Sequence, residues 1–255
     1  MSDALGVILW AVLPYISLTL LVAGTIWRWR TDKFGWTTRS SNIHERTILR
    51  LGSPMFHFGI IFVALGHFMG LLIPKAWTEA VGVPQTLYHL TATVGGGVAG
   101  TVTVIGLVLL LYRRFTVRGV TQATTHNDRI MYVLLAFPIV LGMIAVITHQ
   151  VLGGEHGYDY RETISPWLRG VLTLQPEPSI MSTVPLSFQL HVIAAFLLFA
   201  IWPFTRLVHA FTPPVGYPTR PYVVYRSRKE GDPVTQARRG WDKPINGPVR
   251  VDSSK

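Results

Sequence analysis

The sequence predicts an all-α integral membrane protein in which five transmembrane helices form one bundle. Of its 255 residues, 49% are hydrophobic and 14% are charged, whereas a soluble domain usually carries about 25% charged residues. The apolar segments are long and continuous, which favours helices over the short alternating strands of a membrane β-barrel. The chain has no cysteine, which excludes disulfides, thiolate zinc sites, iron–sulfur ligation and covalently attached c-type haem.

Five charge-free stretches give the positions of the predicted helices. Crossing a hydrocarbon core of about 30 Å takes roughly 20 helical residues, and the predicted spans cover residues 4–27, 53–73, 87–112, 130–150 and 186–210. The first span lacks a basic leader and runs into a basic loop, so we interpret it as a permanent anchor. Residues 1–210 are predicted to form the transmembrane domain. Residues 211–255 are predicted to form a basic, proline-rich cytoplasmic tail.

Lysine and arginine are distributed unevenly around these spans. Of the 23, three lie on one side (Lys75, Arg161 and Arg169), and the rest lie in loops 28–50 and 113–129 or from Arg206 onwards. The positive-inside rule places these basic segments and the C-terminus in the cytoplasm, and the N-terminus outside the cell membrane. The loops also explain the formal charge of +10 without nucleic-acid binding. The tail is either a solvated arm facing lipid or a docking strap for a cytoplasmic partner.

Two of the predicted spans carry two histidines each, and ionisable side chains inside a membrane are functional candidates. His57 and His67 lie in the second span, and His191 and His209 lie in the fifth. Because these spans run in opposite directions, His57 is expected at the level of His209, and His67 at the level of His191. A neutral imidazole is a good ligand of haem iron. The sequence therefore predicts two haems b, each held by one pair.

The spacing of the histidines differs between the two spans. At 1.5 Å per residue, the second-span histidines are separated by about 15 Å and the fifth-span histidines by about 27 Å. Pro203 lies between the latter two and can kink the helix. Arg206, three residues before His209, is either a partner for a haem propionate or an anchor at the positive face of the membrane.

Four segments carry a resemblance to a known family. They are Phe56-His57, Gly66-His67-Phe68-Met69-Gly70, Pro203-Phe204-Thr205-Arg206-Leu207-Val208-His209 and Tyr217-Pro218-Thr219-Arg220. With the five-helix layout, they resemble the cytochrome b gamma subunit of membrane-bound respiratory nitrate reductase. The resemblance extends from about Pro14 to Arg228 and also includes residues 36–41 and 121–125.

This resemblance implies an oxidoreductase subunit of anaerobic nitrate respiration. The family's subunit oxidises quinol, either menaquinol or ubiquinol, at the outer side of the membrane. It passes electrons through a distal and then a proximal haem b to a cytoplasmic iron–sulfur beta subunit and a molybdenum alpha subunit. By position, His67 and His191 resemble the distal haem ligands, and His57 and His209 the proximal ones. The molybdenum cofactor and the iron–sulfur clusters are expected only in these partner subunits.

The resemblance also implies a quinol pocket beside the distal haem, which in the family is associated with a lysine at the start of the third span. Here that region is Gln85-Thr86-Leu87-Tyr88-His89 and has no lysine. Either His89 takes over as the hydrogen-bonding partner of quinol, or the site is arranged differently. We therefore assign Gly66, His67 and His89 to the predicted quinol site.

Two other functions are compatible with parts of this pattern. One is a di-haem cytochrome b of another quinone-linked complex, which reduces a sulfur compound or a heterodisulfide. The other is a transporter whose histidines relay protons, for which acidic residues or broken helices inside the spans would be expected. The predicted spans contain no acidic residue, which favours the haem protein.

Overall fold

The computed structural model describes residues 3–32, 36, 44–153 and 157–212. Within these ranges the chain is helical, with nine α-helices joined by turns and by π- and 3₁₀-helical segments. The α-helices are α1 (Asp3–Val7), α2 (Leu13–Thr31), α3 (Thr47–His67), α4 (Lys75–Ala80), α5 (Gln85–Thr116), α6 (Arg118–Gln122), α7 (His126–Val146), α8 (Ile164–Leu172) and α9 (Leu186–Ile201). The predicted tail lies outside the described residues from residue 213 onwards, so its assignment stays a prediction.

Five helical segments are long and apolar enough to cross a membrane, which confirms the predicted all-α, multi-pass fold. They are Ala4–Thr31, Thr47–Leu72, Gln85–Thr116, His126–Val151 and Leu186–Phe204. The first four extend beyond the predicted bounds at one or both ends, because polar residues continue each helix past its apolar part.

The predicted end of the fifth span at residue 210 is wrong. The α-helix ends at Ile201, and two 3₁₀ segments follow, Trp202–Phe204 and Arg206–Phe211. Pro203 has no backbone N–H to donate, and Thr205 between the two segments is extended, with φ −116° and ψ 179°. The chain therefore leaves the helix several residues earlier than its apolar pattern predicts.

Large apolar side chains cover the outside of the spans. Phe58 is 65% exposed, Phe62 is 63% exposed and Val133 is 61% exposed. Such a surface would be unfavourable in water, whereas in a bilayer it contacts lipid tails of similar polarity. The exposure pattern therefore agrees with a bundle embedded in a membrane.

The two ends of the bundle differ, and we name them by their composition. The loop end carries the connection between α7 and α9, in which α8 packs its buried Trp167 edge-to-face on Trp10, with ring centroids 5.9 Å apart. The Trp167 indole N–H also donates to the Trp10 carbonyl at 2.9 Å. The arginine end carries Arg28, Arg113 and Arg206, which lie where α2, α5 and the fifth span end.

Glycines allow α3 and α5 to approach each other closely. A Cβ added to Gly59 would lie 2.5 Å from the Thr103 hydroxyl oxygen, and one added to Gly106 would collide with the backbone N of Phe56. Small residues let the backbones of membrane helices come into contact in this way. This contact fixes α3, and with it both histidines of the second span, against α5.

Candidate functional site

The structure brings His57 and His209 together near the arginine end. His57 lies on α3, and His209 lies on the second 3₁₀ segment, beyond the end of α9. Their ring centroids are 6.2 Å apart and the ring planes are inclined by 64°. The pair that antiparallel helices predict is therefore formed, although one member is not on an α-helix.

The second predicted pair is formed nearer the loop end. His67 is the last residue of α3, His191 lies in the first half of α9, and their ring centroids are 5.9 Å apart. Since α9 ends at Ile201, the separation of about 27 Å between the fifth-span histidines, calculated for a continuous α-helix, does not apply. The break after α9 lets both pairs form in one bundle.

All four histidines have one ring nitrogen occupied by the backbone. In each, Nδ1 lies within hydrogen-bond distance of a carbonyl oxygen. The pairs are His57 to Ser53 (2.8 Å), His67 to Val63 (2.8 Å), His191 to Pro138 (2.8 Å) and His209 to Arg206 (2.6 Å). A carbonyl can only accept, so Nδ1 carries a proton, and in the neutral imidazole Nε2 then keeps its lone pair. Metal-ligating histidines are commonly oriented in this way.

The distance within each pair fits two ligands of a single metal ion. A metal–imidazole bond is about 2 Å long, so two imidazoles on opposite sides of one metal have bonding nitrogens about 4 Å apart and ring centres about 6 Å apart. Each pair therefore offers two imidazole nitrogens, a donor set that fits a haem iron with two protein ligands.

One predicted haem contact, Arg206, lies beside the His57–His209 pair and forms an ion pair with another residue of the chain. Its Nε bonds the carboxylate of Asp128 at 2.8 Å. Asp128 is 2% exposed and also accepts from the backbone N–H of Thr125 at the start of α7. Arg206 thus links the 3₁₀ segment of His209 to α7, and its role toward a propionate stays a prediction.

The predicted quinol residues occupy the loop end, but the structure does not gather all three around one point. Apart from Gly66 itself, its chain neighbours and the adjacent backbone of its own helix, no described atom lies within 4 Å of the Gly66 Cβ position, so the surface beside His67 is open. His89 instead borders a small cavity with Tyr88, Tyr158 and Arg161. Its Nε2 is buried, has no hydrogen-bond partner among the described residues, and lies against Gly157.

Sequence reasoning missed a polar network beside His89. Lys75 bonds Glu162 at 2.6 Å and Asp159 at 3.2 Å, and the guanidinium carbon of Arg161 lies 3.8 Å from the centre of the Tyr88 ring. The Glu162 hydrogen bond, with Asp159 adding to it, raises the pKa of Lys75. Two of the three basic residues on the predicted outer side thus belong to this network. Because basic residues are rare on that side, their presence in the sequence could have indicated it.

Tyr160 is half-buried and lies beside this network. A Cβ added to Gly70 would lie 2.8 Å from the Tyr160 hydroxyl oxygen, so the loop packs tightly on the end of the second span. Burial raises the pKa of the Tyr160 phenol, and neighbouring Tyr88 adds to the effect. The phenol therefore stays protonated at neutral pH.

The loop after Tyr160 also holds the end of the second span. Phe68–Leu72 is π-helical, and such segments leave backbone carbonyls without their usual helical partners. The Leu71 carbonyl accepts from the Ser165 hydroxyl at 2.8 Å and from Arg169 at 3.2 Å. Because His67 directly precedes this segment, the loop helps to fix its position.

Known proteins resemble the chain over most of its length. The family model for the nitrate reductase gamma subunit matches residues 6–228. The nitrate reductase-like protein NarX of Mycobacterium tuberculosis is 50% identical over 94% of this chain, which spans 37% of that protein. The nitrate reductase gamma chain of Bacillus subtilis is 40% identical, with 88% of this chain and 99% of the relative covered.

A more distant relative agrees with these. The respiratory nitrate reductase 2 gamma chain of Escherichia coli is 31% identical, with 90% of this chain and 100% of the relative covered. The matched region contains both histidine pairs, four complete spans and all but the first two residues of the first span. The chain therefore belongs to the nitrate reductase gamma subunit family.

Proposed function

We propose that this chain is the quinol-oxidising membrane subunit of a respiratory nitrate reductase and that it holds two haems b. The observation that carries the proposal is the presence of two histidine pairs, one at each end of the bundle, whose Nδ1 atoms are all bonded to backbone carbonyls. When bound, each haem would supply an iron that exchanges one electron at a time. Two protein ligands per iron leave no open position, which suits electron transfer.

The residues of this chain would act mainly by holding and orienting the two haems. His67 and His191 would bind the haem nearer the loop end, and His57 and His209 the other, through their free Nε2 atoms. The backbone carbonyls keep the four rings in the required tautomer. The open surface at Gly66 leaves room for a flat group beside His67.

The proposed orientation places the loop end outside the cell membrane and the arginine end in the cytoplasm. Electrons from menaquinol or ubiquinol would then leave through the His67–His191 level and next through the His57–His209 level. The cytoplasmic acceptor would be an iron–sulfur beta subunit bound to a molybdenum alpha subunit. Family membership supports these partners. Because this chain has no cysteine, the iron–sulfur clusters would be held by another subunit.

Visible spectroscopy tests the haem assignment directly. The complete complex, extracted from membranes and reduced with dithionite, is expected to show b-type absorption bands equivalent to two haems per chain. A quinol analogue should reduce the same bands before nitrate is added, and nitrate should reoxidise them. A preparation without b-type bands would overturn the proposal, and bands that quinol cannot reduce would indicate a different electron donor.

His89 is the proposed proton acceptor of the quinol site. A quinol hydroxyl must lose its proton as it is oxidised, and a neutral imidazole with a free nitrogen can accept it. His89 Nε2 is buried and unpartnered among the described residues, so it is available for this role. We expect His89→Leu to slow quinol oxidation while both haem signals remain.

The control for His89 is a histidine of the opposite end. His126 is exposed at the start of α7, so His126→Leu should leave quinol oxidation unchanged. Steady-state rates with a quinol analogue and nitrate are measured together with haem content for both variants. Wild-type kinetics in His89→Leu would remove His89 from the quinol site.

A further inference from the structure

Three consecutive backbone carbonyls at the break after α9 are bonded by side chains from other helices. Arg28 Nη1 donates to the Pro203 carbonyl at 2.7 Å and to the Thr205 carbonyl at 2.5 Å. Asn127 Nδ2 donates to the Phe204 carbonyl at 2.8 Å. At membrane depth a backbone carbonyl without a partner is costly, so these donors stabilise a conformation that a regular helix would not adopt.

Arg28 is held in place for this contact. Its side chain is 13% exposed, and its Nε lies 3.5 Å from the Asp32 carboxylate, one turn further along the chain. A Cβ added to Gly24 would lie 3.0 Å from the Pro203 ring, so α2 packs directly on the break. Hydrogen bonds from a charged donor are shorter and stronger than neutral ones. Arg28 is therefore the principal donor that α2 contributes to the break.

The break leads directly to His209. The Thr205 hydroxyl accepts from the Leu207 backbone N–H at 3.1 Å and so begins the second 3₁₀ segment. The Arg206 carbonyl then accepts from His209 Nδ1 at 2.6 Å. By holding Thr205 in place, Arg28 also holds the residues that orient the His209 ring.

We propose that Arg28 is a positioning residue for His209, holding the break so that the His209 ring meets His57. This inference rests on the proposed function, since it assigns Arg28 to the haem site at the arginine end. Arg28 acts through the Pro203 and Thr205 carbonyls, to which it donates. The His67–His191 pair lies at the other level and is outside its influence.

The test compares Arg28→Gln, Arg28→Lys and the control Arg30→Gln in the complete complex in membranes. Arg30 lies on the same helix turn and is exposed, so its replacement removes the same charge without touching the break. For each variant, the amount of chain is measured by immunoblot. The two haems are followed separately by low-spin electron paramagnetic resonance and by redox titration of the visible bands.

We expect Arg28→Gln to lose or shift most of the signal of the His57–His209 haem at an unchanged amount of chain, with the other haem as in wild type. Arg28→Lys keeps a charged donor and should restore a large part of that signal. Arg30→Gln should match wild type for both haems.

Three outcomes would overturn the inference: wild-type haem signals in Arg28→Gln, equal loss of both haems, or the same change in Arg30→Gln. Equal loss with less chain would mean that Arg28 only supports folding. These outcomes differ from failure of the proposed function, in which the wild-type complex itself would contain no b-type haem.

Discussion

His57→Ala is expected to remove one haem b from the complex and leave the second in place, and His209→Ala should remove the same one. The reason is that the ring centroids of His57 and His209 lie 6.2 Å apart, whereas those of His67 and His191 form a separate pair at 5.9 Å. Loss of one Nε2 ligand would leave the proposed haem iron with a single protein ligand. Low-temperature difference spectra of membranes carrying each variant resolve the two components.

The remaining two variants complete the comparison. His67→Ala and His191→Ala should both remove the other component. All four variants should abolish electron transfer from quinol to nitrate, because the proposed path requires both haems. His126→Ala, at an exposed position, should retain both haems and full activity. If His57→Ala and His67→Ala abolished the same spectral component, the assignment of the pairs would be wrong.

Quinol oxidation by the complete complex is expected to acidify the side of the membrane on which the N-terminus lies. The His89 cavity lies at the loop end, beside the start of α5, and the proposed orientation places this end outside. Oxidation of one quinol would release two protons there, while its two electrons would cross to the arginine end. Nitrate reduction to nitrite and water would consume two protons on the cytoplasmic side.

The proposed electron transfer also has an energetic cost, because the electrons move against the membrane potential. Moving one charge against 100 mV costs about 2.3 kcal/mol, so the redox drop from quinol to nitrate must exceed that cost for each electron. Sealed vesicles of known orientation receive quinol and nitrate, and an impermeant indicator reports pH on one side. Vesicles with His57→Ala serve as the control and should show no acidification. Proton release on the side of the C-terminal tail would refute both the quinol site and the orientation.

The sequence alone determined the five spans and the two histidine pairs. A hydrocarbon core tolerates few charges, so each span must appear as a long uncharged run, and five such runs became five helices. Two histidines on each of two antiparallel spans can meet in only one way. The family assignment also followed from local segments such as Gly66-His67 and Arg206 to His209, which the family match confirms.

The tertiary structure decided how these elements fit together. Pro203 interrupts the helix, but the break after Ile201 is stabilised by Arg28, which donates to the Pro203 carbonyl 175 residues away in the sequence. The position of Arg206 depends on Asp128, and the end of the second span depends on Ser165 and Arg169. Each of these contacts satisfies a buried carbonyl or charge left by a local departure from regular helix. Sequence periodicity describes regular helices, so the partners of an irregular segment are determined only when distant helices pack against it.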